Sequence, residues 1–326
     1  MELTFRNAQH HLYPLIENKE CPASSLKLFG YPIIVRNIML AQRFMNIDTI
    51  CLPDGFSDAS RLIQDYFPTI NLKEFCDNSG YENPLTVDVP LEIDRQLAKI
   101  NVSRHGSFEI PINSIIHYAS FSKDDNCNTG VGNLIVDVLT YPWDFLKAVQ
   151  NVLHNEITHT VISPMATIAK SSIITGPCIV EDDVIIDDFC KIIGPVYIGS
   201  GSFIGMSSLV RKSMLGINTR IGFNCEVAKT YFEGHDRIAH QNVILDSIIG
   251  RNVWLGGYSG TANVLLDRKN VRYLVDQGLV DTGTDHFGAV IGNNCTIGAS
   301  VIILPGRHIQ PNSMIQAGSI VGKKPS

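Results

Sequence analysis

Two stretches of this chain carry residues able to do chemistry, and both interrupt a regular repeat. The first, Lys229 to Ala239, ends against His240, a residue type whose neutral ring can accept a proton at cellular pH. The second, Gly260 to Gly288, carries Asp267, Arg268, Lys269, Arg272 and Asp276. Lys269 and Arg272 are side chains of the kind that hold an anionic phosphate through charge-assisted hydrogen bonds. Each has a plain alternative. A histidine in a loop is usually a hydrogen-bonded surface residue, and Lys269 and Arg272 are balanced by Asp267 and Asp276.

The interrupted repeat has a period of six. Ile162, Ile168, Ile174, Val180, Ile186, Ile192, Ile198, Ile204 and Val210 recur at that spacing, with Ser172, Cys178, Val184, Cys190, Val196, Ser202 and Ser208 four places after seven of them. The count resumes with Ile291, Ile297, Ile303, Ile309, Ile315 and Val321. A period of six fits neither a helix nor a lone strand. It marks the hexapeptide solenoid, in which each six-residue rung is a short strand and a corner, with one aliphatic side chain inward and a small residue at the turn. One rung cannot bury its apolar row, so coils must stack around an internal column of Ile and Val. Insertions in such a stack emerge as loops, and loops commonly carry function, which makes the two interruptions the place to look. Between them the count returns briefly at Val243, Ile249 and Leu255.

Residues 1 to about 140 show no six-fold count and read as mixed α/β. Helices are expected over 33–44 and 60–66, a buried strand over 48–52, a turn-rich connection over 78–90 and a polar loop over 121–126. A further helix starts at Pro142, where a missing N–H costs nothing, carries Asp144 at the positive end of its dipole, and runs to about Asn155. The expected organisation is therefore an α/β domain over 1–140, a linker helix over 141–157 and an all-β solenoid over 158–326. The net charge of -6 argues against a nucleic-acid partner, because phosphate binding wants a basic face. No apolar run reaches membrane-spanning length, and Met1-Glu2-Leu3-Thr4 has no basic n-region, so a cytosolic protein without a membrane partner is expected. The eight cysteines form no Cys-x-x-Cys pair, which favours buried reduced thiols over disulfides or a metal site.

Hexapeptide repeats of this kind resemble the left-handed parallel β-helix of acyltransferases and of sugar nucleotidyltransferase tails, and the left hand is implied by that resemblance alone. At the other end, Leu12-Tyr13-Pro14-Leu15-Ile16-Glu17-Asn18-Lys19 and Leu28-Phe29-Gly30-Tyr31-Pro32-Ile33-Ile34 resemble the opening of sugar-1-phosphate nucleotidyltransferases. In that family a glycine-rich loop with an Arg and a Lys-Pro pair close around the nucleotide phosphates. Here Ala8-Gln9-His10-His11 and Ala23-Ser24-Ser25 stand in those places, and no counterpart of the family's metal-binding Asp is visible. The resemblance thus implies a shortened, degenerate nucleotidyltransferase-like domain of Rossmann type, with Mg2+ relevant only if that domain is active. His10 and His11 could be a substitute catalytic pair, though adjacent histidines at a strand end are more often solvent-facing. Tyr141-Pro142-Trp143-Asp144-Phe145-Leu146 resembles the linker helix of archaeal-type bifunctional members of the family.

From about Tyr141 to Val321 the chain resembles the half of those enzymes that acetylates an amino-sugar 1-phosphate. The match runs collinearly through His240-Gln241-Asn242, Leu255-Gly256-Gly257, Thr261-Ala262-Asn263, Asp267-Arg268-Lys269 and Gly288-Ala289-Val290. Carried over, the resemblance implies His240 as general base, and Asn263 and Lys269, with Arg272, for the sugar phosphate. It implies Gly257 as a backbone N–H donor to the oxyanion, and Ala299 and Ala317 lining an acetyl-CoA cleft between the β-helices of a homotrimer. A family Tyr is replaced by Val243, and a basic residue by His286, which leaves the acceptor open between an amino-sugar phosphate and a nucleotide-linked amino sugar. The expected activity is an acetyl-CoA-dependent N-acetyltransferase without a metal. The alternatives are a sugar-1-phosphate nucleotidyltransferase and a non-catalytic regulatory or assembly subunit of the same family.

Overall fold

The computed structural model describes residues 2–6, 10–12, 14–15, 22–43, 46–75, 98–99, 107–118, 134–276 and 278–322. They divide into two compact units, Met1–Leu12 with Asn18–Asp144, and Tyr13–Glu17 with Phe145–Ser326. The helix expected from the sequence spans Pro142–Glu156, and the division falls inside its first turn. Its start is fixed by Asp144, whose carboxylate accepts the N–H groups of Thr140 and Tyr141 at 3.2 and 2.9 Å.

The first unit is α/β. Its parallel sheet has the order Asn71–Phe75, Thr49–Pro53, Glu2–Arg6, Ser107–Pro111. The inner strands bury Leu3, Phe5, Ile50 and Leu52, as strands covered on both faces must. Helices Ile33–Gln42 and Ser57–Tyr66 stand where helices were expected, the second beginning three residues earlier than 60, with Asp58 in its first turn. Polar side chains of the first helix are buried and satisfied: Asn37 Nδ2 donates to Ser114 O at 2.7 Å, and its Oδ1 accepts from Ile116 N at 3.0 Å. The segments 78–90 and 121–126 lie outside the described residues.

The second unit is a three-sided parallel β-helix. Three eight-stranded parallel sheets form its faces, so eight coils stack, each contributing one strand to each face. Coil five, for example, runs Tyr231–Phe232, Arg237–Ile238, Val243–Leu245 along the first, second and third faces. The inward row is the six-fold series read from the sequence: Val180, Ile186, Ile192, Ile198, Ile204, Val210, Ile291, Ile297 and Ile303 are all buried.

The small residues four places on have a specific task. Ser172, Ser208, Asp236, Asn242 and Ser259 each accept the backbone N–H of a residue one coil up, those of Cys190, Cys225, Val253, Ser259 and Val301, at 2.8 to 3.0 Å. Corner amides that sheet pairing leaves over are thereby satisfied inside the stack. Cys178, Cys190, Cys225 and Cys295 occupy the same rung position, all buried and unpaired, and burial pushes their thiols up.

The first interruption is no protruding loop. Inward residues of the third and first faces fall five apart rather than six at Val210 to Leu215, Val227 to Phe232 and Ile244 to Ile249. Three successive coils are one residue shorter because single residues with positive φ, Lys212, Lys229 and Asp246, turn their third-to-first corners. One consequence corrects the count: Val243 is 44% exposed on the outside of the third face, and Ile244 is the inward residue. The outer side of the first face is covered. Tyr197, Met214, Tyr231, Ile248 and Val290 are nearly inaccessible there. The Pro142–Glu156 helix lies against that face, with the Phe145 ring edge-on to Tyr231 at 4.8 Å and Gln150 Nε2 donating to Lys212 O at 3.1 Å.

Candidate active site

His240, Gly257, Ala299 and Ala317 form one column. Each stands two residues beyond the inward residue of a second-face strand, after Ile238, Leu255, Ile297 and Ile315, so the four occupy one corner of coils five to eight. Parallel pairing of Trp254 with Thr296 and of Thr296 with Met314 fixes the upper part of the register, and that of Arg237 with Trp254 the lower. Neighbouring coils lie about 4.8 Å apart, so the column spans on the order of 15 Å.

His240 is exposed, and its Nδ1 accepts the N–H of Phe223, the same corner one coil down, at 3.2 Å. An accepting Nδ1 puts the proton of the neutral ring on Nε2. The ring therefore points a donor outward, whereas a base needs its lone pair there. The backbone beneath the ring is fixed: His240 O accepts from Tyr258 N at 3.1 Å and from Asn242 Nδ2 at 3.3 Å. Gly257 sits directly above, where a Cβ would come within 3.3 Å of His240 O. Gly257 O accepts from Ser300 N at 2.8 Å, and its own N–H meets no acceptor among the described residues. That amide is available to an oxygen brought to the corner. Ala299 and Ala317 are both exposed and small, which leaves the upper column shallow.

Asn263 stands on a different corner. It lies above Asp246, to whose Oδ2 its Nδ2 donates at 2.6 Å, and Lys229 Nζ lies 4.0 Å from the other carboxylate oxygen. Asp246 follows His240 by six positions along one side of coil five, at most roughly 20 Å of extended chain. Within one chain, then, the imidazole and Asn263 occupy opposite edges of the third face.

The second interruption leaves the coil at that same third-to-first corner and is a folded appendage. Strands Arg272–Val275 and Gly278–Asp281 pair as a hairpin, the ring of buried Tyr273 packs edge-on to Phe287 at 6.0 Å and against His308 at 5.4 Å, and Val271 is fully buried. The hairpin anchors Arg272, whose guanidinium donates to Leu279 O at 3.0 Å. Lys269 is exposed and paired with Asp267 at 3.4 Å, beside Arg268 with positive φ. His286 is exposed and bonded to Asp285 at 2.7 Å.

In the first unit His10 and His11 are not turned fully to solvent. Burial, helped by His11, lowers the pKa of His10, and the His11 ring stacks on Tyr141 at 5.4 Å. A buried contact between His117 Nε2 and Asp137 Oδ2 at 2.9 Å, which no motif or spacing in the sequence signals, joins two antiparallel strands. Among the described residues no group of three or more His, Cys, Asp or Glu is placed to hold a metal ion, and no helix is long and apolar enough to cross a membrane.

The bacterial transferase hexapeptide pattern of six repeats matches residues 177–212 and 288–323. Over those residues the chain carries the hexapeptide repeat that this pattern describes. Among curated proteins, this hexapeptide chain is 36% identical over 109 residues to the uncharacterized acetyltransferase YaiX of Escherichia coli O6:K15:H31, covering 33% of this chain and 47% of the relative. It is 33% identical over 181 residues to the bifunctional protein GlmU of Methanococcus aeolicus, covering 55% and 43%. The chain thus spans less than half the length of these relatives. Among solved structures, it overlaps the D94A mutant of AntD, an N-acyltransferase from Bacillus cereus in complex with dTDP and coenzyme A, with a TM-score of 0.25 and 15% identity over 48% of this chain and 76% of that one.

Proposed function

We propose that the protein transfers an acetyl group from acetyl-CoA to the amine of a sugar that carries a phosphate or a nucleotide. The observation that carries this reading is the column itself. One exposed corner of a hexapeptide coil stacks an imidazole, an unclaimed backbone N–H and two alanines in successive rungs, which is what acyl transfer requires: a proton acceptor, an oxyanion donor and room for an extended arm. Likeness to acetyltransferase relatives supports the same reaction class.

In this reading the amine nitrogen attacks the thioester carbonyl carbon, and the carbonyl oxygen takes up negative charge facing Gly257 N–H. The amine's proton passes to Nε2 of His240. The C–S bond then breaks, the carbonyl reforms as an amide, and the sulfur leaves with that proton. Nε2 must first lose the hydrogen it holds while Nδ1 accepts from Phe223. Giving up that bond costs roughly 0.5–1.5 kcal/mol, whereas general base catalysis is worth about 10² to 10⁴ in rate, or roughly 3–5 kcal/mol. The exchange is affordable at an exposed ring.

Asn263, Lys269 and Arg272 belong to the third-to-first corner, so they reach the imidazole only from a second copy of the chain. A three-fold ring joins unlike patches of neighbouring copies, and in this reading a homotrimer brings the two corners together. The test is thiol release from acetyl-CoA with glucosamine 1-phosphate and with nucleotide-linked amino sugars offered separately. Amine-dependent release with at least one acceptor is expected; release with none of them overturns the reading.

A further inference from the structure

The outer side of the second face carries a ladder that acyl transfer at the neighbouring corner does not use. Phe203, Arg220, Arg237 and Trp254 lead the second-face strands of coils three to six, and parallel pairing puts each directly above the last: Phe203 with Arg220, Arg220 with Arg237, Arg237 with Trp254. All four point away from the core, because the next residue in each strand is the buried Ile204, Ile221, Ile238 or Leu255. Two like charges directly opposite each other on adjacent strands, whose backbones lie about 4.8 Å apart, repel each other and destabilise the sheet. The remaining outward positions of this face, Thr167, Ile185, Thr296 and Met314, offer no carboxylate, and neither arginine is in an ion pair among the described residues. Arg220 rests its guanidinium carbon 4.8 Å from the centre of the Phe203 ring, and Trp254 stands in register above Arg237, 44% exposed.

We infer that this ladder binds a nucleotide pyrophosphate, its phosphates held between Arg220 and Arg237 and its base stacked on Trp254. A bound diphosphate would cancel the repulsion that the bare face carries, and guanidinium is suited to phosphate by its planar, bidentate donors. An exposed indole beside them supplies the flat apolar surface a base needs. The adjoining first corner holds a concavity of about 500 Å3 lined by Arg251 with His235, Asn252, Asn293 and Asn294. Arg237 precedes His240 by three residues, at most roughly 10 Å of chain, so a ligand seated on the ladder extends its other end to the imidazole corner. That end is the reacting one only if the acyl-transfer reading holds; the binding site itself does not depend on it. Two sources share this chemistry, the nucleotide of an activated sugar and the adenine nucleotide of coenzyme A.

The test uses the full chain with Trp143→Phe, which leaves Trp254 as the only tryptophan of the two. Its fluorescence is titrated with UDP, with adenosine 3′,5′-bisphosphate and with inorganic pyrophosphate, in that background and with Arg220→Gln plus Arg237→Gln added. Saturable quenching by a nucleotide, weakened at least about tenfold by the double change at an unaltered melting temperature, is the expected result. Pyrophosphate is expected to compete without quenching. Stronger binding of UDP assigns the ladder to the acceptor, and stronger binding of the adenosine bisphosphate assigns it to the coenzyme. Absence of saturable quenching, or quenching that survives the double change undiminished, overturns the inference. Binding is read without turnover, so an inactive transferase with this site and an active one without it give different results.

Discussion

Among the described residues, Asp236 is the one carboxylate that the coil takes fully inside. Its two oxygens accept the N–H groups of Val253 and Gly234 at 2.8 and 3.1 Å, and burial pushes its pKa well above the usual aspartate range. A group whose folded pKa exceeds its unfolded one stabilises fully below the unfolded value and loses that contribution as pH rises through the folded value. The margin in melting temperature of the wild type over Asp236→Asn should therefore narrow as pH rises above the ordinary aspartate range of about 4, and a margin independent of pH would contradict the assignment. Residue types were legible in the sequence wherever they sat in the repeat. Cys178 and Cys190 were read as buried thiols and are buried. The contact of His240 with Phe223 was not legible, because it depends on which side chains one corner places above one another a whole coil apart.

At the scale of the element, the coil stacks because its corners fit one another. Gly256 has no side chain because a Cβ there would lie 2.5 Å from Ala299 N and 2.7 Å from Gly298 C. Those are backbone atoms of the next coil and cannot step aside cheaply. Gly256→Ala is expected to cost about 1–3 kcal/mol, read as a lower denaturant midpoint, and an unchanged midpoint would show that the coils part more easily than this packing implies. The hairpin makes a second prediction. Tyr273 is 1% exposed and ties the appendage to Phe287 and His308, so Tyr273→Ala should raise the KM for the acceptor roughly tenfold while leaving the KM for acetyl-CoA in place. Equal effects on both would remove the appendage from the acceptor's site. Strand periodicity survived in the sequence because Ile and Val recur inward. The shortened coils did not read as coils, since one residue lost at each of three corners moves every later side chain out of the six-fold count, and this is how Val243 came to be counted as inward.

For the whole molecule, the separation of the two corners decides what the protein must be in order to act. His240 and Asn263 lie at opposite edges of one face, a distance no side chain spans. If neighbouring copies complete the site, His240→Ala and Lys269→Ala chains, each inactive alone, should regain part of the activity when co-expressed, because some mixed oligomers hold one intact pair of corners. No recovery would place both groups in one chain's site, against the geometry. The α/β unit was recognisable from its short segments, and the helices and strand expected over 33–66 are present. The proposed partnership between copies is accessible to the sequence only through resemblance, since no spacing within one chain encodes which corner meets which. The most direct measurement is the kcat for acetyl transfer by His240→Ala at unchanged melting temperature. A fall of about 10² to 10⁴ is predicted, and a kcat equal to that of the wild type would contradict the account.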